Sequence, residues 1–463
     1  MARLRIDNVE VEVGAGATLL DAAAKAGAEI PTLCYTRQTG AQASCMVCVV
    51  KDAGSGRMLP ACSAKAEDGM EVDTRGDEVA GLRRETLLML LSEHVGDCEA
   101  PCTRICPASL DIPGLLRLMS GGDESGAARV AQRDLVFPAT LCRVCGAPCE
   151  KGCRRAQYDA PVGIRACHAA LGEGMPERAE GSGKTVGVIG AGLAGLSAAF
   201  TSLLRGHACR VYDEAPVACS SVRVRYAQQL PAEILDAEVE SIRRMGAELM
   251  LGRAVDAAGV VSTCDAVIVA CDAGAPVAAN VFRADEHAMP ARSVANGKAG
   301  ARAAEAFLRG QQDQSSRRYN SVIGKLRPEE IHAYGVTRLV DDATSEAGRC
   351  LGCDCRKAVS CKLRQHADRY GIRGPVKRHM DRPAIAAIEV LGPVLFEPGK
   401  CVKCGICVEL SRQSGGGLTF AGRGLDTRVE LPPGGRISDD LAMRCAEACP
   451  TGALAVRAGE ERP

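Results

Sequence analysis

Twenty-five cysteines in a chain of 463 residues, and the way they bunch, constrain this sequence more than any other feature. Four fall at 34–62, eight at 98–167, four at 350–361 and five at 401–449. The other four, Cys209, Cys219, Cys264 and Cys271, have no ligand spacing and read as small buried apolar residues. Cysteine at this density serves a secreted disulfide framework, zinc modules or iron–sulfur clusters. A disulfide framework fits worst. The chain is long enough to build a core without staples. Its opening, Met1-Ala2-Arg3-Leu4-Arg5, runs into an alternating strand rather than an apolar signal segment. The expectation is a cytoplasmic chain whose thiolates ligate metal. Lys plus Arg and Asp plus Glu are both 57, which argues against nucleic-acid binding through bulk charge. With no Trp, six Phe and seven Tyr, the core has to come from Ala, Val, Leu and Ile. Residues 185–204 carry no charge and are long enough to score as a membrane span. Gly187, Gly190, Gly192 and Gly195 make a strand, turn and helix the better reading, so no membrane insertion is expected.

Residues 3–13 alternate like a hairpin with one wet face, and Thr18 can cap a helix that starts at Leu19. Cys34, Cys45, Cys48 and Cys62 follow, enough thiolates for a two-iron cluster. The wide gap between Cys34 and Cys45 is similar to the ferredoxin-like domain of the large iron–sulfur subunit of respiratory NADH dehydrogenase. Iron-only hydrogenases and some formate dehydrogenases carry the same domain. The resemblance covers about residues 1–75 and implies a β-grasp-like [2Fe-2S] fold. A zinc site would more often pair two short Cys-x2-Cys knuckles.

A leucine-rich helix over 82–92 precedes His94, Cys98, Cys102 and Cys106, and a second group holds Cys142, Cys145, Cys149 and Cys153. Ligands in two such groups suit two cubane clusters. The stretches Ala100 to Pro107, Asp111 to Gly114 and Arg143 to Cys145 resemble the N-terminal domain of the glutamate synthase small subunit and dihydropyrimidine dehydrogenase. That resemblance implies a helical domain with two [4Fe-4S] clusters. It assigns Cys98, Cys102 and Cys153 to one and Cys106, Cys145 and Cys149 to the other. Each set then lacks a ligand. His94 and His168 are the favoured completions, with Cys142 and Cys167 also in reach.

An apolar strand then opens Gly190-Ala191-Gly192-Leu193-Ala194-Gly195, and a second strand ends in Asp213. This is a dinucleotide fingerprint: glycines admit a pyrophosphate to a helix N-terminus and the acid holds a ribose. The segments Leu230 to Leu235, Met245 to Glu248 and Cys264 to Ala270, and the helix over 293–309, resemble the flavin domain of the same glutamate synthase group, as does Asp285. Cys219-Ser220 stands where the family has Gly-Gly, and Ala270-Cys271-Asp272 where it has Ala-Thr-Gly. The family's NAD(P)H domain, expected between the Asp265 strand and Asp285, is missing. The resemblance implies a truncated Rossmann-like unit with two readings open: FAD held through Gly190, Gly192, Gly195, Asp213 and Asp285, or a scaffold without cofactor.

After a polar linker at 311–318, Cys350, Cys353, Cys355 and Cys361 lie within twelve residues, enough for one [4Fe-4S] cluster or for zinc. The last group, Cys401, Cys404, Cys407, Cys445 and Cys449-Pro450, resembles a two-cluster ferredoxin. The stretch Leu418 to Thr427 resembles the ferredoxin segment of hydrogenase and formate dehydrogenase large chains. One ligand set is intact there: Cys401, Cys404, Cys407 and Cys449. The other has decayed to Ser411, Asp439, Ala442 and Cys445, so one ferredoxin-like cluster is expected. The reading is thus a multidomain α+β and α/β chain with segments 1–78, 79–178, 179–312, 313–392 and 393–463. It would carry one [2Fe-2S] and four [4Fe-4S] clusters and relay electrons inside a larger redox complex. Its partners would be other subunits, a soluble ferredoxin or a flavoprotein. A flavoenzyme feeding its own clusters is the alternative.

Overall fold

The computed structural model describes residues 1–253, 257–271, 278–311, 318–336, 338, 345–374, 376 and 381–457. Asp272 and residues 312–317 of the expected linker lie outside these. The chain forms two compact units. The first takes Met1–Glu99, Arg317–Arg338 and Asp354–Pro463; the second takes Ala100–Ser316 and Leu339–Cys353. The polypeptide therefore crosses from one unit to the other four times, and two of the crossings, at Glu99–Ala100 and Cys353–Asp354, fall between cysteines that are close in sequence.

In the first unit, Ala2–Ile6 pairs antiparallel with Val9–Val13 and parallel with Glu71–Asp73. Val49–Asp52 and Met58–Pro60 complete a five-stranded sheet. The alternation of Ala2–Ile6 puts Ala2, Leu4 and Ile6 inside and Arg3 and Arg5 outside. Helix Leu19–Lys25 starts on a capping box, because Thr18 and Asp21 each bond the other's backbone amide. Helix Asp77–Glu93 contains the expected leucine stretch and buries Val79, Arg83, Leu87 and Leu91. The interior Arg83 donates to the Val49 and Thr74 carbonyls and to the Tyr370 hydroxyl. Near the end of the chain, Glu389–Leu391, Val394–Phe396 and Leu454–Val456 form a small sheet. Helices Ile406–Gln413 and Asp439–Ala448 pack beside it.

The second unit begins with short helices: Pro101–Ile105, Ile112–Ser120, Glu124–Leu135, Pro138–Val144, Pro148–Lys151 and Ile164–Ala169. Asp111 and Asp123 cap two of them by accepting from the Gly114 and Gly126 amides. A wholly parallel sheet follows, in the spatial order Ala247–Leu251, Ala208–Asp213, Thr185–Ile189, Ala266–Val269, Val281–Arg283. Counted along the chain this is 3-2-1-4-5, the order in which the first strand's turn faces a crevice. The uncharged stretch 185–204 is thus a buried strand, a turn and helix Leu193–Leu204. Among the described residues no helix is long and apolar enough to cross a membrane.

Small residues do the packing that aromatics do elsewhere. Helix Pro290–Leu308 lies against Leu193–Leu204. A β-carbon on Gly297 would stand 2.0 Å from the Ala194 carbonyl oxygen. The helices can therefore approach only while that position is glycine. Gly297→Ala is expected to lower stability by about 1–3 kcal/mol, the usual cost of overpacking a fitted contact. An earlier urea midpoint followed by circular dichroism would register it; an unmoved midpoint would mean the helices separate without cost.

Candidate metal centres

The N-terminal sulfurs converge. Cys34, Cys45, Cys48 and Cys62 are all buried, and their thiols touch: Cys34 with Cys45 and Cys62, and Cys62 with Cys48. The loop that carries two of them is wound tightly, with Ala43 at φ 49° and Met46 at φ 53°. These left-handed turns point backbone amides inward, so Ser44 and Cys45 donate to the Cys34 sulfur and Val47 to that of Cys45. Hydrogen bonds from Cys45 and Cys62 hold the Cys34 thiol far below its ordinary range, while those with Cys34 and Cys48 push Cys62 up. Donors aimed at sulfur favour thiolate, the form that binds metal.

Cys401, Cys404, Cys407 and Cys449 of the C-terminal set line one small cavity. Lys403, at φ 53°, turns its amide onto the Cys401 sulfur at 3.3 Å. Burial pushes the Cys401 thiol up to about 11. Cys445 does not line this cavity. It is fully buried against Ser411 and Ala442, with its sulfur 3.8 Å from the Cys407 carbonyl oxygen. Ser411 accepts from the Leu418 amide, and Asp439 opens a helix. Ser411, Ala442 and Cys445 are thus part of the core, and Asp439 is exposed.

The cysteines of the middle are placed otherwise than their order suggests. In the second unit Cys102, Cys153, Cys350 and Cys353 line one small cavity, walled by Ile112, Leu116 and Val162. In the first unit Cys98 accompanies Cys355 and Cys361: the Cys355 amide donates to the Cys98 carbonyl at 3.2 Å. Ser321 links this group to His94, donating its amide to the Cys98 sulfur at 3.3 Å, with its hydroxyl 3.4 Å from His94 Nδ1. Of the run expected as one four-thiolate site, Cys350 and Cys353 belong to the second unit and Cys355 and Cys361 to the first, the chain changing units between Cys353 and Asp354. Cys98 and Cys102 likewise belong to different units, the chain changing units at Glu99–Ala100.

Cys106, Cys145 and Cys149 keep company, as their mutual electrostatic influence shows. Helix Ile164–Ala169 packs against Pro138–Val144 and brings His168 and Cys167 into the same unit's interior. His168 is buried and its Nδ1 has no hydrogen-bond partner. Burial lowers its imidazole to about 4, keeping it neutral, as a ligand nitrogen must be. Cys142 instead donates to the Ala139 carbonyl at 3.0 Å. Among the described residues no three His, Cys, Asp or Glu side chains converge on the point a single ion would take. The lined cavities spread their sulfurs around a volume.

The glycine turn is already filled. The carboxylate of Glu286 accepts from the Ala194 amide at 2.7 Å, at the start of helix Leu193–Leu204. It lies where a side chain on Gly192 would be, 2.2 Å from that ideal β-carbon. Asp213, the acid expected on a ribose, instead accepts from the Ala191 amide at 2.5 Å and the Ala215 amide at 2.8 Å. Asp285 pairs with Arg283 at the surface. Gly190 is at φ 106° against the Ala270 carbonyl, and Cys219 adopts the left-handed φ of 56° that the family's glycine would. Backbone conformation is kept while the phosphate seat is taken, so this arrangement does not fit FAD. Glu286 was legible only as a second acid beside Asp285.

Residues 1–77 match the family described as a 2Fe-2S iron-sulfur cluster binding domain. Residues 82–175 match the family described as dihydropyrimidine dehydrogenase domain II, 4Fe-4S cluster. The chain is 33% identical over 187 residues to the NADP(+)-dependent formate dehydrogenase subunit beta of Moorella thermoacetica, covering 34% of this chain and 26% of that one. It is 39% identical over 103 residues to the NADP-reducing hydrogenase subunit HndD of Solidesulfovibrio fructosivorans, covering 21% and 18%. It is 33% identical over 159 residues to the NAD-dependent dihydropyrimidine dehydrogenase subunit PreT of Escherichia coli, covering 32% and 38%. The chain thus spans well under half of each of these relatives, and what it shares with them is iron–sulfur domains of 2Fe-2S and 4Fe-4S type.

Proposed function

We propose that the chain is an electron-relay subunit of a larger oxidoreductase complex, with a β-grasp-like [2Fe-2S] domain and four [4Fe-4S] clusters. One observation carries this reading: within the first unit, separate cysteine groups share one core. Cys34, Cys45, Cys361, Cys404 and Cys407 belong to a single buried apolar cluster. Ser44, beside Cys45, reaches the Cys404 carbonyl at 3.4 Å, and Gln42 lies against Gly405. On the other side of the C-terminal loop, a β-carbon on Gly452 would stand 2.2 Å from the Cys355 sulfur. Lys357 donates to the Cys449 carbonyl at 3.0 Å. Iron–sulfur clusters in such positions supply one-electron steps, and electron transfer falls off steeply with distance, so adjacency is what a relay needs. The chain's own part is to hold the sulfurs buried, ring them with amide donors and keep water away.

The names of the relatives support subunits of NAD- or NADP-linked complexes, of formate dehydrogenase or hydrogenase type, as partners. The parallel-sheet unit, read as a truncated Rossmann-like domain, is in this proposal a scaffold that has exchanged its cofactor for Glu286 and Asp213. Hydride chemistry needs a flavin or nicotinamide, so the donor of electrons is another chain.

Purified without oxygen, the chain should hold about 18 iron atoms with matching acid-labile sulfide. Fewer than about ten would remove at least two clusters, and zinc in place of iron would end the relay reading. Released flavin should be absent, and the chain alone should not reduce a dye from NADH or NADPH. One flavin per chain with NADH-dependent dye reduction would replace this proposal by a flavoenzyme. In the C-terminal module, Cys449→Ala should cost about four irons and Cys445→Ala none; the reverse would redraw that ligand set.

A further inference from the structure

We infer that the cysteine run at 350–361 serves two clusters, its first half completing a site with Cys102 and Cys153 and its second half one with Cys98 and His94. The inference rests on the relay reading above and names the ligands that it leaves open. Neither half of the run makes a cluster by itself, and neither of the older pairs does so either. Each pair lacks two ligands, and each half of the run offers two.

Geometry selects which half goes where. Cys350 and Cys353 share a cavity with Cys102 and Cys153, and all four belong to the second unit. The thiols that bear electrostatically on Cys102 are the other three. The approach is fixed by neighbours on both sides. Arg155 donates to the Arg349 carbonyl and pairs with Asp159, while Glu346 accepts from the Gly163 amide at 2.7 Å and pairs with Arg349 at 2.7 Å. Gly352, at φ 52°, makes the bend between the two cysteines, and the Gly352 amide lies 3.4 Å from the Cys350 sulfur. That sulfur is thus presented with an amide donor, as in the N-terminal quartet.

Cys355 and Cys361 belong to the first unit with His94 and Cys98. The Cys355 amide bonds the Cys98 backbone, and the thiols bearing on Cys361 are those of Cys355 and Cys98. Ser321 spans Cys98 and His94. Arg364 pins the helix after Cys361, donating to the Tyr319 carbonyl at 2.6 Å and pairing with Glu99 at 2.8 Å. A histidine with three cysteines is a complete cubane ligand set, because a neutral imidazole nitrogen can stand for one thiolate. The third cluster of the middle is left with Cys106, Cys145, Cys149 and the unpartnered Nδ1 of His168.

The two schemes predict the same total iron, so the test is one of pairing. In the full chain, prepared without oxygen, Cys350→Ser/Cys353→Ser should remove about four irons, and so should Cys355→Ser/Cys361→Ser. The quadruple variant should lose about eight. Adding Cys102→Ser to the first pair, or Cys98→Ser to the second, should remove nothing further. If the quadruple variant loses only about four irons, the run is one site and the inference is overturned. A wild-type chain without iron would instead overturn the relay reading and this one with it. Should the double variants fail to fold, single conservative changes decide. Low-temperature electron paramagnetic resonance of the reduced chain should show Cys353→Ser and Cys102→Ser perturbing one signal, and Cys355→Ser and His94→Cys another. Cys353→Ser and Cys355→Ser perturbing the same signal would refute the split.

Discussion

Buried sulfur is the element around which the rest of this protein is arranged. Cysteines far apart in sequence have to be brought together in interiors that exclude water. The chain manages it with few aromatic side chains, by using tight loops and close helix contacts. Around Cys34 and Cys45 the loop accepts left-handed turns at Ala43 and Met46, and the return is amides aimed at sulfur. Around Cys401 the same device recurs at Lys403. A non-glycine residue at positive φ is uncommon, and in both loops it turns backbone amides onto cysteine sulfurs, the donors an anionic sulfur needs.

The second dependence is on interleaving. The first unit is assembled from three separate stretches and the second from two. Residues 350–361 straddle a crossing, so the polypeptide can deliver one pair of cysteines to each unit. A second crossing, at Glu99–Ala100, puts Cys98 and Cys102, four residues apart, in different units. Sequence spacing is a guide to ligand sets only when the intervening chain stays within one domain.

In the reading proposed here, the parallel sheet is a fold that outlasts the group it is suited to hold. Its strand order and glycine turn are those a nucleotide-binding unit would use. The helix N-terminus, whose free amides attract anions, has been given a carboxylate of the chain's own. Although Glu286 is an exposed residue, desolvation raises its carboxyl above the usual range. The Ala194 amide offsets part of that cost, which is how an acid can sit where a phosphate would.

Local patterns were legible because they depend on near neighbours. The alternation of residues 3–13, the cap at Thr18, and the strand and turn before Gly190 all follow from spacings within a few residues. Tertiary structure alone decided the company of Cys350, Cys353, Cys355 and Cys361, because no local rule says where a chain changes units. It alone revealed Glu286 on the Ala194 amide, since an acid's partner depends on how a distant strand end folds back. Residue type and spacing establish that sulfur will bind metal here; which sulfurs share a site is set by the path of the backbone.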